Sequence, residues 1–230
     1  MCSHFESVTS KDVLKKYFDA DQASEDAKTD IWPGYKGLLI RPAKGPGSTL
    51  EAISGAFGLI PHWASDTKIS RHTYNARTET VASKPSFREA WKKGQHCIIP
   101  AAAIYEPDWR SGKAVSTRIF RKDGHPMGIA GLWDCWQPDK GDPVISFTML
   151  TVNADGHPMM QQFHKPSDEK RMIVVLPDNR YGDWLAASVA ESMDFMKLYS
   201  AEELEASALE VAKPPTRAPK VADTPDLFSD

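Results

Sequence analysis

Cys2, Asn75, Glu106 and a histidine, His164 or His157, are the side chains in this chain whose types suit carbonyl chemistry. Removal of Met1 would make Cys2 chain-terminal and place two nucleophiles on one residue. An α-amine titrates at about pH 7.7–8.0, well below a lysine, so a useful fraction is neutral at pH 7. That amine can condense with an aldehyde to a Schiff base, as lysine does elsewhere. The adjacent thiol can then add to the imine carbon and close a five-membered thiazolidine, helped by the effective molarity of a group already in place. Both steps need protons moved. Glu106 directly follows an apolar run that begins at Cys97, and a carboxyl in such surroundings titrates closer to neutrality, where it serves as general acid or base. Asn75 and Arg77 are two apart and share a side if residues 74–80 are extended. His157 and His164 both lie downstream of Asn153, and both stand as candidates for the imidazole. Each residue also has an ordinary reading: Cys2 on a frayed end, Asn75 capping a turn, Glu106 in an ion pair, His164 on a surface loop.

The elements that must position these groups are mostly strands. Residues 10–18 read as a short helix with Val13, Leu14, Tyr17 and Phe18 on one face and Ser10 as its cap. An acidic loop follows as far as Asp30. Residues 35–41 and 56–60 are strand-like and separated by a Gly/Pro-rich loop. Ser86 and Glu89 have the spacing of a capping box, with Gly94 ending that helix. From Cys97 onward apolar and alternating runs recur, divided by turns at Ser111-Gly112 and Asp123-Gly124, up to residues 171–176. Two helical stretches, 179–187 and 191–199, close the body. Strands dominate and no βαβ alternation is visible. The expected fold class is therefore α+β, a single domain on a curved, mostly antiparallel, barrel-like sheet with short peripheral helices. Residues 1–206 form that domain, and residues 207–230 read as a disordered acidic tail rich in Pro and Ala.

At 230 residues, 41% hydrophobic and 26% charged, the composition is that of an ordinary globular protein. No apolar run reaches the length of a membrane span, and the N-terminus lacks a secretory signal, so a cytoplasmic location is expected. Cys2, Cys97 and Cys135 show no C-x-x-C spacing, which suggests neither disulfides nor a metal site. Cys97 and Cys135 read as buried small hydrophobes. The net charge of -3 hides an asymmetry: residues 202–230 hold seven acids against three bases, and residues 68–93 hold seven bases against two acids. A basic zone on a near-neutral body can serve phosphates.

Cys2, residues 57–63 (Phe-Gly-Leu-Ile-Pro-His-Trp), residues 75–80 (Asn-Ala-Arg-Thr-Glu-Thr), Lys84-Pro85-Ser86-Phe87-Arg88, Cys97 to Ala101, Tyr105-Glu106 and Arg171-Met172 occur in an order that resembles the SOS response-associated peptidase (SRAP) family of abasic site processing proteins. The resemblance spans about residues 2–188. It implies a positively charged cleft for single-stranded DNA and a thiazolidine crosslink between Cys2 and the ring-opened sugar of an abasic site, shielding that site. Asn75 would orient the new N-terminus, Glu106 would act as acid and base, and His164 would assist proton transfer at the sugar. Arg77 and Arg171 would hold phosphates, Trp63 would pack on bases, and Arg88 lies in the matching basic block. It also implies peptidase-like removal of Met1 by the chain itself. The usual family start, Cys-Gly-Arg, is replaced by Cys2-Ser3-His4, so His4 stands in only partly for an early phosphate-binding arginine. Five extra residues separate His164 from Arg171.

No cofactor or metal is expected, the partner is single-stranded DNA carrying abasic sites, and the protein reads as a monomer. Two other functions fit parts of the sequence. One is an N-terminal-nucleophile cysteine peptidase acting on other proteins, although no Gly-rich nucleophile turn is visible. The other is a noncatalytic strand binder using Trp63 and the basic stretch. Leu227-Phe228 in the tail could dock in a hydrophobic pocket of a replication protein.

Overall fold

The computed structural model describes residues 2–22, 28–45 and 49–209. Met1, with its expected removal, parts of the acidic and Gly/Pro-rich loops, and the tail from 210 onward with its Leu227-Phe228 pair lie outside the described residues. The strands run β1 His4–Ser7, β2 Ala20–Gln22, β3 Asp30–Ile31, β4 Lys36–Pro42, β5 Leu50–Phe57, β6 Asn75–Arg77, β7 His96–Asp108, β8 Val115–Arg121, β9 Met127–Trp136, β10 Val144–Asn153, β11 Arg171–Ile173, β12 Val175–Leu176 and β13 Leu204–Ala208. Helices α1 Lys11–Phe18, α2 Arg88–Lys92 and α3 Tyr181–Ala186 are short. Pairing runs β9–β10–β5–β4–β7 and back to β9, so the sheet closes into a barrel. The pairs are antiparallel except β5 and β6 on β10 and β2 on β5. The fold is the α+β, barrel-like single domain expected from the strand-rich pattern.

Phe5, Phe57 and Phe147 are fully buried at the centre, with Phe5 edge-on to Phe57 at 5.1 Å. On the outside, α3 packs on β7 through buried Trp184, whose Nε1 donates to the Cys97 carbonyl at 2.9 Å. The His96 ring lies 4.0 Å from that indole, and burial pushes its pKa down to about 4.

One edge of β10 is shared by two strands in succession. β5 pairs with its first half, through Phe147↔Phe57, and β6 with its second, through Met149↔Asn75 and Thr151↔Arg77. The chain leaves the sheet between them at Gly58, whose φ of +119° puts it where an L side chain is strained. A Cβ there would lie 1.9 Å from the Ser70 carbonyl oxygen. This crossover is what delivers Asn75 and Arg77 to the site. Gly58→Ala is expected to cost roughly 2–4 kcal/mol and to lower Tm by about 5–15 °C. An unchanged Tm in a thermal melt would show that the crossover yields freely.

Several local expectations are corrected. Residues 56–60 continue as strand only to Phe57, the strand having begun at Leu50. Helix α2 starts at Arg88 with Phe87 at its cap position and no side-chain cap bond, so Ser86 and Glu89 do not form a capping box. Residues 80–88 are spent in successive turns, with Lys84 N on the Thr80 carbonyl and Arg88 N on the Lys84 carbonyl. Residues 191–199 contain only a 3-10 turn, Ser192–Phe195. The run 171–176 is two strands that switch partner at Val174, from β10 to β9. Cys97 is buried as expected, but Cys135 is exposed. It lies between buried Asp134 and Trp136 on β9, where alternate side chains face out.

Candidate active site

Strand β1 lies antiparallel on the far half of β7 in the register His4↔Tyr105 and Phe5↔Ile104. That register carries the N-terminal segment toward Glu106. Cys2 is 1% exposed, and its carbonyl accepts a 2.6 Å hydrogen bond from Asn75 Nδ2. Burial raises the pKa of the thiol well above its ordinary value, and the negative charge of Glu106 raises it further. The sulfur is thus held as a neutral thiol, lying 3.4 Å from the His4 carbonyl. The Tyr74 hydroxyl is also pushed up, by burial and then by Cys2 and Glu106. Asn75 Oδ1 is buried with no hydrogen-bond partner among the described residues.

Glu106 is buried, and His164 Nε2 makes an ion-pair contact with its Oε2 at 2.7 Å. The backbone explains how a loop histidine gets there. Phe163 forms a β-bridge with Asp108, and His164 N donates to the Pro107 carbonyl at 2.8 Å. His164 itself has φ +61°, a left-handed conformation uncommon for a residue with a Cβ and held here by the surrounding pairing. His157 does not reach this group. Its Nδ1 accepts from the backbone N–H of Met159 and Met160, so the proton sits on Nε2, which donates to the Tyr199 carbonyl at 2.8 Å. The two histidines separate experimentally. His157→Ala orphans three backbone groups, the N–H of Met160 buried and the other two part-buried, and is expected to cost roughly 2–4 kcal/mol in a denaturant melt. His164→Asn, whose residue type tolerates φ > 0, should leave the melt nearly in place. The reverse ranking would exchange their roles.

Next to this cluster is a cleft of about 450 Å³ lined by Ser3, Tyr74, Arg77, Pro107, His164, Asp168, Glu169 and Arg171. β10 brings its two arginines together, since Thr151 pairs with Arg77 on β6 and Asn153, two residues on, with Arg171 on β11. Arg77 is half-exposed, with Nη1 2.8 Å from Glu169. Arg171 is only 2% exposed at its side chain. Its guanidinium donates bidentately to Glu79 (2.8 and 2.9 Å), to Glu169 (2.9 Å) and to the Thr151 carbonyl (2.6 Å). Burial alone would weaken its charge, and the two carboxylates more than reverse that. A phosphate could reach Arg171 only if a carboxylate moved.

The other expected DNA contacts lie elsewhere. The His4 ring is sandwiched between Trp32 at 4.0 Å and Tyr105 at 4.1 Å and bonded to Asp30, so it is not offered as a free cation. Trp63 is 50% exposed, with Nε1 donating to the Pro85 carbonyl at 3.3 Å. Exposed Arg88, three residues beyond Pro85, lies 3.5 Å from Glu89. Neither lines the cleft. Among the described residues no group of three or more His, Cys, Asp or Glu side chains could hold a metal ion, and no helix is long and apolar enough to cross a membrane.

Residues 1–214 match the sequence model for "SOS response associated peptidase (SRAP)". The chain belongs to the SRAP family. Among SRAP relatives, the Bacillus subtilis abasic site processing protein YoqW is 28% identical over 97% of this chain and 100% of its own length. The B. subtilis abasic site processing protein YoaM is 30% identical over 90% of this chain and 89% of its own. A crystal structure of a protein from Bordetella bronchiseptica superposes with a TM-score of 0.84 at 46% identity, covering 91% of this chain and 100% of that one. What SRAP membership did not point to is the acidic side of the cleft. Asp168 and Glu169 lie in the extra stretch between His164 and Arg171, and that insertion was the available signal.

Proposed function

We propose that this SRAP protein processes abasic sites in single-stranded DNA by bonding to them through Cys2. With Met1 removed, by a peptidase-like step at Cys2, the α-amine attacks the aldehyde of the ring-opened sugar. Water leaves and a Schiff base forms. The thiol then adds to the imine carbon, its proton passes to the nitrogen, and the thiazolidine closes. The unpartnered Oδ1 of Asn75 supplies an acceptor for the new amine while Nδ2 holds the Cys2 carbonyl. Glu106 and His164 hold and return the protons that ring opening, dehydration and thiol addition require. Trp63 and the basic zone from Lys68 to Lys93 supply base stacking and phosphate attraction. The observation that carries the reading is the convergence of Asn75, Glu106 and, through Glu106, His164 around a buried Cys2.

The test is the intact mass of the purified protein before and after exposure to a single-stranded oligonucleotide with one abasic site. The expected result is a chain lacking Met1 that gains the oligonucleotide's mass less one water and survives denaturation. A chain that keeps Met1, or gains no mass, would overturn the proposal.

A further inference from the structure

Glu169 occupies a position that neither the opening motifs nor the proposed chemistry uses. Its Oε1 is 2.9 Å from Arg171 Nη1, and its Oε2 is 2.8 Å from Arg77 Nη1. One oxyanion group bridging two guanidiniums in this way repeats how a phosphodiester is gripped by an arginine pair. The extra stretch that carries it is tied down: Lys170 Nζ donates to the carbonyls of Phe163 (2.8 Å) and Lys165 (2.7 Å), and Lys165 Nζ lies 5.1 Å from the Trp109 ring centroid. The same stretch adds Asp168 to the cleft lining. Glu79 satisfies Arg171 independently, so Glu169 is not needed to neutralise that buried charge. Arg77 is 47% exposed and Glu169 36% exposed at their side chains, so a strand can reach this pair from solvent.

We propose that Glu169 is a specificity-determining residue that fills the phosphate seat between Arg77 and Arg171. A strand lays a phosphate there only by displacing the carboxylate. The seat therefore holds a strand more weakly, and with less dependence on salt, than its two arginines would alone. The inference rests on the single-stranded DNA reading above.

The experiment measures noncovalent binding of an unmodified single-stranded oligonucleotide across a salt series. Glu169→Gln keeps the side-chain shape and removes the charge. It is expected to tighten binding by about 3- to 10-fold at low salt and to steepen the log–log salt slope by about 0.7, the value of one added positive charge on a single strand. Glu169→Asp should keep the wild-type slope, and Glu169→Lys should steepen it by about twice as much. In an Arg77→Ala background the gain from Glu169→Gln should shrink. Wild-type affinity and slope in both Glu169→Gln and Glu169→Lys would overturn the inference and leave the DNA reading standing. A wild-type protein that neither binds the oligonucleotide nor forms an abasic-site adduct would overturn both.

Discussion

Cys2→Ala is expected to eliminate the denaturation-resistant adduct with abasic single-stranded DNA while the protein still retains the strand noncovalently. The expectation comes from dividing the reaction between two atoms of one residue. Because the variant lacks the Cys2 on which removal of Met1 depends, it is produced behind a cleavable leader that leaves alanine chain-terminal; that alanine keeps an α-amine with about the same pKa, so imine formation remains chemically open. What disappears is the sulfur that closes the ring. An imine in water hydrolyses, whereas a thiazolidine is reached by an intramolecular addition whose effective molarity is of order 10⁵–10⁸ M when the geometry is right. The substitution should therefore convert a stable product into a transient one. Borohydride added during incubation should trap the imine from Cys2→Ala and restore a covalent band, and without reductant that band should be absent. An alanine variant forming a stable adduct unaided would move the nucleophile away from Cys2. Cys→Ala at this buried position is a modest volume change, so the variant is expected to keep its fold. A thermal melt of the variant checks this.

The barrel and the site were legible in the sequence to different depths. Strand runs and turn residues gave the fold class because period-2 alternation and positive-φ glycines act locally. Gly112 and Gly124 stand in their predicted turns at φ +78° and +74°. The capping box failed although its spacing was right, because Ser86 is already committed to a chain of turns that delays the helix to Arg88. Cys2, Asn75 and Glu106 could be picked out by residue type, but what unites them is long-range: the register of β1 on β7 and the handover from β5 to β6 along β10. No spacing encodes that. That His164 rather than His157 lies against Glu106 depends on a single β-bridge, Asp108 with Phe163, that zips the loop to the end of β7. Arg171 shows the opposite difficulty. Its type suggested a phosphate contact, yet its guanidinium is paired with Glu79 and Glu169, and the Glu79 contact, 92 residues away in sequence, is set by the fold and not by local spacing.

The second large effect is expected from Glu106→Gln, which preserves shape and removes one buried charge. As general acid and base, Glu106 should contribute about 10²–10⁴-fold to adduct formation, and the variant should lose most of that in a single-turnover crosslinking assay. A purely structural glutamate would predict slow chemistry and nothing else. The geometry predicts a second change of opposite sense. The Glu106 charge helps to raise the Cys2 pKa, after burial, so its removal should make the thiol more acidic. The pH midpoint for alkylation of Cys2 by a thiol reagent should shift downward even as the crosslinking rate falls. Stability follows the same linkage. A thiol whose folded pKa lies above its ordinary value near 9.0 favours the folded state fully below that pH, and the advantage is lost as pH rises above it, because the unfolded chain ionises first. Glu106→Gln should therefore soften the alkaline loss of stability, leaving the contribution of buried Cys97, raised by burial alone, in place. Crosslinking at the wild-type rate would remove Glu106 from proton handling. Slow crosslinking with an unmoved alkylation midpoint would mean that its charge is not felt at the sulfur.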